Sequence, residues 1–130
     1  MSLIIDTLES KRSLLASGGV TENKVIEAEK ELSLAFTSEY REYLLKYGIA
    51  AYNGHELTGI TNSDRLNVVS VTKAEKSKDT SIPADYYVIE QTNVEEIVIW
   101  QSADGKIYYS SPNQKITYLC DSLNEYIKKS

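Results

Sequence analysis

The chain of 130 residues is poor in the residues on which most catalytic and metal sites depend, with one His, one Cys and one Met. Its single cysteine, Cys120, excludes an internal disulfide framework. No hydrophobic run approaches the ~20 residues of a membrane-spanning helix, so no membrane association is expected. The first residues lack a basic region followed by an apolar run, and therefore do not resemble a signal peptide. Together with the length, these absences predict one domain over residues 1–130 in the cytoplasm.

Positive charge is also scarce, because 14 Lys and Arg stand against 19 Asp and Glu, a net charge of −5 at pH 7. A protein that binds nucleic acid through its phosphates needs a surplus or a stripe of Lys and Arg. The balance argues against nucleic acid as the direct partner and favours a protein with a basic surface.

The acidic residues are unevenly distributed along the chain. No Lys or Arg occurs between Lys78 and Lys106. Six acids lie in that interval: Asp79, Asp85, Glu90, Glu95, Glu96 and Asp104. The interval is either a solvated face that keeps the protein soluble or an acidic surface that steers a basic partner.

Phe and Trp are nearly missing, with one of each against ten Tyr. A tyrosine ring favours burial, whereas its hydroxyl needs a partner or water. We therefore expect most of the tyrosines to line the rim of the core.

Apolar residues recur with the helical period in the first 48 residues, which predicts three short helices, the first over residues 4–15. The closing residues 122–127 predict a further helix. Residues of the expected types mark the helix ends: Thr21 and Thr37 or Ser38 as N-caps, Gly48 as a C-terminal stop, and Ser122 with Glu125 as a capping box.

After residue 48 the period changes to two and Val, Ile, Thr and Tyr become frequent, as in β-strands. Six segments show this pattern: residues 55–60, 65–71, 86–92, 95–103, 106–111 and 115–120. Residues 73–79 are polar and predict a surface helical turn or a loop, while Asp104 and Gly105 predict a type I′ hairpin. The order of these helices and strands along the chain predicts an α+β fold with N-terminal helices, a mainly antiparallel sheet of about five to six strands and a C-terminal helix.

No group of residues forms a catalytic or metal-binding motif. The sequence contains no Gly-x-Ser-x-Gly turn whose serine His55 could activate. It also lacks a second His with which Cys120 could complete a metal site. Glu95 and Glu96 are neighbours in a predicted strand, so they would point to opposite faces and could not flank one bond. The sequence therefore predicts a protein that is not an enzyme and uses no metal or cofactor. A small hydrolase or transferase that uses His55 is the least favoured alternative.

Several segments of the chain occur in an order that is typical of a known family. Residues 25–32, 38–48, 54–60, 82–89, the Asp104–Gly105 hairpin and residues 122–127 together resemble the SMI1/KNR4 family, also called the SUKH superfamily. Members usually have Leu-Pro just before the third helix, where this chain has Phe36 and Thr37. Thr37 can still cap that helix, so the departure changes the start signal and not the fold.

The resemblance implies a protein-binding module without a shared set of catalytic residues. Bacterial members are mostly immunity proteins that neutralise a cognate toxin, often a nuclease, whereas fungal members are understood as regulatory scaffolds for a housekeeping partner. We predict stoichiometric binding of a cognate protein toxin with a basic surface, and the scaffold remains the alternative. From charge and expected exposure, the predicted contacts are Tyr52, Asn53, His55 and Glu56 after the third helix and the strand residues Glu90, Glu95 and Glu96.

Overall fold

The computed structural model describes residues 3–130, which form five helices and two antiparallel sheets. The helices are α1 (Leu3–Glu9), α2 (Glu22–Leu32), α3 (Ser38–Tyr47), α4 (Val68–Lys78) and α5 (Leu123–Lys129). The strands are β1 (Leu15–Ala16), β2 (Ala50–Tyr52), β3 (His55–Glu56), β4 (Tyr87–Gln91), β5 (Val98–Gln101), β6 (Ile107–Ser111) and β7 (Gln114–Cys120). The small sheet has the order β1–β2–β3 and the large sheet the order β4–β5–β6–β7. The predicted α+β class is confirmed, with the strands divided between two sheets.

The predicted caps of the helices are present. The Thr37 side chain accepts a hydrogen bond from the backbone N–H of Tyr40 at 3.2 Å, and Ser122 accepts one from Glu125 at 3.1 Å. At the end of α3, Gly48 has a φ of 70°, and a Cβ there would lie 2.4 Å from the Gly18 carbonyl oxygen. Only glycine fits this stop, because both the backbone conformation and the close approach exclude a side chain.

Side chains pack against both faces of the large sheet, and each face belongs to a separate core cluster. On the inner face, side chains such as Tyr87, Ile89 and Ile107 pack with α1, α2, α3 and α5. On the outer face, Val88, Val98 and Trp100 pack with α4 and the segment that follows it. Helix α5 therefore completes the main core, while α4 closes a smaller one.

Helix α4 corrects the predicted strand over residues 65–71, whereas of the two alternatives for residues 73–79 the surface helical turn is confirmed as far as Lys78. The run Val68-Val69-Ser70-Val71 suggests a strand because β-branched residues favour one. However, the Asn67 side chain accepts the N–H groups of Val69 at 3.0 Å and Ser70 at 3.3 Å. The buried residues Val68, Val71 and Thr72 then follow the helical period.

The first helix is shorter than predicted. Helix α1 ends at Glu9, and Leu15 and Ala16 pair instead with Ala51 and Ala50 of β2. Residues 10–14 form turns, and strand pairing with a distant segment takes up Leu15, the last residue of the expected helix. Leu15, an expected apolar position of that helix, is 72% exposed.

The predicted hairpin between β5 and β6 is present with a different turn. Of its two central residues, only Gly105 has a positive φ, of 94°. The Ser102 N–H donates to the Lys106 carbonyl and the Gly105 N–H donates to the Ser102 carbonyl, both at 3.0 Å. These bonds are those of a three-residue loop that closes on a left-handed glycine, so the type I′ prediction is wrong.

The tyrosines lie deeper than the predicted rim, because seven of the ten are buried. Five of the seven buried hydroxyls form hydrogen bonds: for example, Tyr43 donates to the Thr58 carbonyl at 2.8 Å and Tyr87 to the Gln101 side chain at 2.7 Å. The buried Tyr47 hydroxyl has no such partner among the described residues. Buried tyrosine is tolerated where such a partner exists. Within residues 3–130, no helix combines the length and apolar character needed to cross a bilayer.

Candidate functional site

The predicted contact residues fall into two separate groups. Tyr52, Asn53, His55 and Glu56 lie on the β2–β3 hairpin, where Glu90 of β4 reaches His55. Glu95 and Glu96 lie in the turn between β4 and β5. The structure thus joins Glu90 to the hairpin and leaves the other two acids at a different place.

Two of the hairpin group are buried. Tyr52 is 1% exposed and its hydroxyl is 2.7 Å from the Ser130 Oγ, so it is not the exposed aromatic contact that the sequence suggested. Glu90 is 3% exposed and lies inside the main core. Neither side chain is placed to touch a partner directly.

The Glu90 carboxylate organises a small buried network. It accepts a hydrogen bond from the Tyr126 hydroxyl at 2.5 Å and lies 3.0 Å from the His55 Nδ1. The His55 ring also stacks on Tyr52, with ring centroids 5.3 Å apart. A buried carboxylate requires such partners. Glu90 therefore holds α5 against the hairpin, and His55 takes part in the same structural contact.

The remaining hairpin residues offer little free charge. The Glu56 carboxylate forms a two-pronged ion pair with Arg65, with distances of 2.7 and 3.1 Å. Hydrogen bonding to that guanidinium lowers the pKa of Glu56. Asn53 is exposed, and its side chain accepts a hydrogen bond from Ser13 at 3.0 Å. The hairpin is therefore a neutralised surface, not an acidic one.

Glu95 and Glu96, by contrast, line a large cleft. It has a volume of about 910 Å³ and lies between the end of α4 and the outer face of the large sheet. Its floor is apolar, formed by Ile97, Val98 and Trp100. Its charged walls carry four carboxylates and one ammonium group: Glu75, Asp79, Glu95, Glu96 and Lys78. We call this the acidic cleft.

The charges of the acidic cleft are only partly compensated. Lys78 lies 3.3 Å from the Glu75 carboxylate, which also accepts a hydrogen bond from Gln91 at 2.7 Å. Hydrogen bonds from Ser81 lower the pKa of Asp79, so its carboxylate stays ionised. No Lys or Arg of the described chain forms an ion pair with Glu95 or Glu96. The cleft thus presents net negative charge over an apolar floor.

The turn that carries Glu95 and Glu96 has an unusual backbone. Asn93, Glu95 and Glu96 have φ values of 59°, 52° and 57°. The left-handed region costs a residue with a Cβ roughly 1–2 kcal/mol, and asparagine tolerates it better than glutamate. The prediction of Glu95 and Glu96 as strand residues is therefore wrong, because β5 begins only at Val98.

Glu75 is a cleft residue that the sequence did not single out, and Asp79 entered only as one of the six acids between Lys78 and Lys106. Glu75 lies near the end of α4 and Asp79 follows its last residue, and both line the cleft. The strand assigned to residues 65–71 concealed the first half of the helix that leads to these acids. The Asn67 cap is the sequence signal that could have identified this helix.

The chemistry of the acidic cleft favours binding. Carboxylates can hold the charged groups of Lys or Arg, and the apolar floor can accept their aliphatic stems. In the described part of the chain, no three His, Cys, Asp or Glu side chains are arranged to hold a metal ion.

Comparison with known proteins identifies the fold and the family. A solved structure, a protein from Pseudomonas syringae pv. tomato, superposes with a TM-score of 0.73 at 17% identity, over 97% of this chain and 94% of that one. This likeness shows a shared fold. No curated protein matches this chain in sequence. The family model described as SMI1-KNR4 cell-wall matches residues 1–130. The chain therefore belongs to the SMI1/KNR4 family, the SUKH superfamily.

Proposed function

We propose that this chain is a bacterial immunity protein that binds a cognate toxin in the cytoplasm and neutralises it by forming a stoichiometric complex. The family, known for immunity proteins, supports this class of function. The observation that carries the proposal is the acidic cleft, in which four carboxylates face one lysine over an apolar floor. This arrangement favours a protein partner with exposed Lys and Arg.

A toxin that acts on nucleic acid fits this chemistry. Such an enzyme needs a basic surface to bind phosphates. An acidic inhibitor that covers that surface competes with the nucleic acid through the same charges, and its field speeds the encounter. Neutralisation then requires no catalytic group on the inhibitor.

Co-expression with the product of the adjacent gene tests the proposed function. We expect the neighbour to be toxic when produced alone, and to be harmless and bound in a fixed ratio when this chain is produced with it. A neighbour that is harmless alone and forms no complex would contradict the proposal. A stable complex with a housekeeping protein in its place would favour the regulatory scaffold.

A further inference from the structure

The outer face of the large sheet is only partly covered. Helix α4 packs against β4, at one edge of this sheet. Towards the opposite edge, Tyr108 of β6 and Ile116 of β7 are half-buried, and Tyr118 of β7 is 50% exposed. We call these three side chains the tyrosine shelf. A half-exposed aromatic surface of this kind is typical of protein interfaces.

The rings of the shelf are held in fixed positions. Tyr108 and Tyr118 are directly opposite each other on neighbouring strands, with ring centroids 6.1 Å apart at 79°. Behind them, Tyr86 contacts Tyr108 with centroids 5.0 Å apart. Rings that are already ordered lose little conformational entropy when a partner binds.

Carboxylates lie at two edges of the shelf. Asp121 accepts a hydrogen bond from the Tyr118 hydroxyl, and this bond, reinforced by the charge of Glu125, raises the pKa of Tyr118 to about 12. On the other side, burial raises the pKa of Tyr86, and the nearby charges of Asp85 and Asp104 add to that shift. A cation placed on the tyrosine rings therefore finds carboxylates at their edges.

The shelf is continuous with the acidic cleft. Trp100, which forms part of the cleft floor, is paired with Tyr108 across β5 and β6. The Trp100 Nε1 donates at 2.9 Å to the Ser110 hydroxyl, and Ser110 also lines the cleft. A basic segment seated in the cleft can thus extend over the shelf without leaving the sheet.

We propose that the tyrosine shelf binds arginine side chains of the basic partner, a contact that rests on the proposed function and specifies the chemistry of the recognised segment. Arginine is favoured over lysine because its planar guanidinium stacks on an aromatic ring while its N–H groups reach a neighbouring carboxylate. The cleft attracts both arginine and lysine, and the shelf adds a preference for arginine.

Titration with hexa-arginine and hexalysine peptides measures this preference. The two probes carry the same side-chain charge, so hexalysine reports the general electrostatic attraction. We expect the native protein to bind hexa-arginine roughly two- to fivefold more tightly, as one exposed cation–π contact provides. Tyr118→Ala should abolish the difference, whereas Tyr118→Phe, which keeps the ring, should retain it. Leu119→Ala is the matched control, because Leu119 is the next residue of β7 and is also exposed, at 40%.

Equal affinities of the native protein for the two peptides, or a preference that survives in Tyr118→Ala, would overturn the proposal. The co-expression experiment separates this outcome from failure of the immunity function. A toxin complex that forms without any arginine preference overturns the shelf alone. An arginine preference without a toxin complex overturns the immunity function and leaves the shelf as an arginine-binding surface.

Discussion

At the scale of single residues, Glu39 shows how one carboxylate links distant parts of the chain. It lies in the first turn of α3 and accepts the backbone N–H groups of Leu123 at 2.7 Å and Asn124 at 3.2 Å. It also accepts a hydrogen bond from the Gln101 side chain at 2.8 Å. The first turn of a helix has free N–H groups and favours negative charge. Glu39 therefore anchors α5 to α3 and to the sheet.

Replacing Glu39 with Ala should destabilise the protein by about 2 kcal/mol, because partly buried donors lose their acceptor. The measurement is the free energy of unfolding from urea denaturation. Glu42→Ala is the control, since Glu42 is an exposed residue of the same helix, and it should change stability by less than about 0.5 kcal/mol. Similar losses in the two variants would contradict the anchoring role.

Glu90 shows why the candidate site could be only partly predicted. Regular alternation would place it on the same face as Val88, the outer face. A bulge between Val88 and Glu90 shifts the register, so that Glu90 pairs with Ile99 and faces the main core. The distribution of charge along the sequence drew attention to Glu90, but no sequence pattern indicated the bulge. Glu95 and Glu96 needed no such signal, since both are exposed in the turn.

At the scale of elements, the turn between β4 and β5 combines backbone strain with the charges of the acidic cleft. Glycine adopts the left-handed conformation freely, although it loses more entropy on folding. Glu96→Gly should therefore raise the free energy of unfolding by up to about 1 kcal/mol while it removes one cleft charge.

Val94→Gly is the matched control for this turn. Val94 is 60% exposed and is not among the positive-φ residues, so glycine there brings only the entropic cost. Thermal unfolding of the two variants should shift in opposite directions. A loss of stability in Glu96→Gly equal to that in Val94→Gly would show that the turn stores no strain.

The elements themselves were predictable to different degrees. Helices α2, α3 and α5 carry both a periodic apolar face and a local cap, and local signals of this kind were sufficient. Strand β1 was not predicted, because a distant strand decides it. Helix α4 was anticipated only as a possible helical turn over residues 73–79, because a single cap outweighs the β-branched run before it.

At the scale of the whole molecule, buried tyrosines couple stability to alkaline pH. Burial raises the pKa of Tyr40, Tyr43, Tyr87 and Tyr126 above the ordinary 10.0, and raises that of Tyr52 to about 12. A group whose pKa is higher in the folded state gives its full stabilisation below the unfolded value. That stabilisation is lost as the pH rises above about 10.

We therefore expect cooperative unfolding between about pH 10 and 12, since each such tyrosine removes about 1.4 kcal/mol per pH unit there. Tyrosinate absorbance and far-ultraviolet circular dichroism, recorded together, provide the measurement. The buried tyrosines should ionise only as the secondary structure disappears. Ionisation of all ten near pH 10 with the fold intact would contradict their burial.

The central claim is that the acidic cleft is where this chain binds a basic partner. The most direct measurement is the association rate constant with the co-expressed toxin, for the native chain and two double variants. Glu95→Lys with Glu96→Lys reverses two cleft charges. Glu27→Lys with Glu42→Lys makes the same change in net charge on the exposed surfaces of α2 and α3.

We expect association of the native chain to slow as salt rises. At low salt, the cleft variant should associate roughly tenfold more slowly than the native chain, while the helix variant should stay within about twofold. Equal rates for the two variants would contradict the claim, because the attraction would then come from the net charge and not from the cleft.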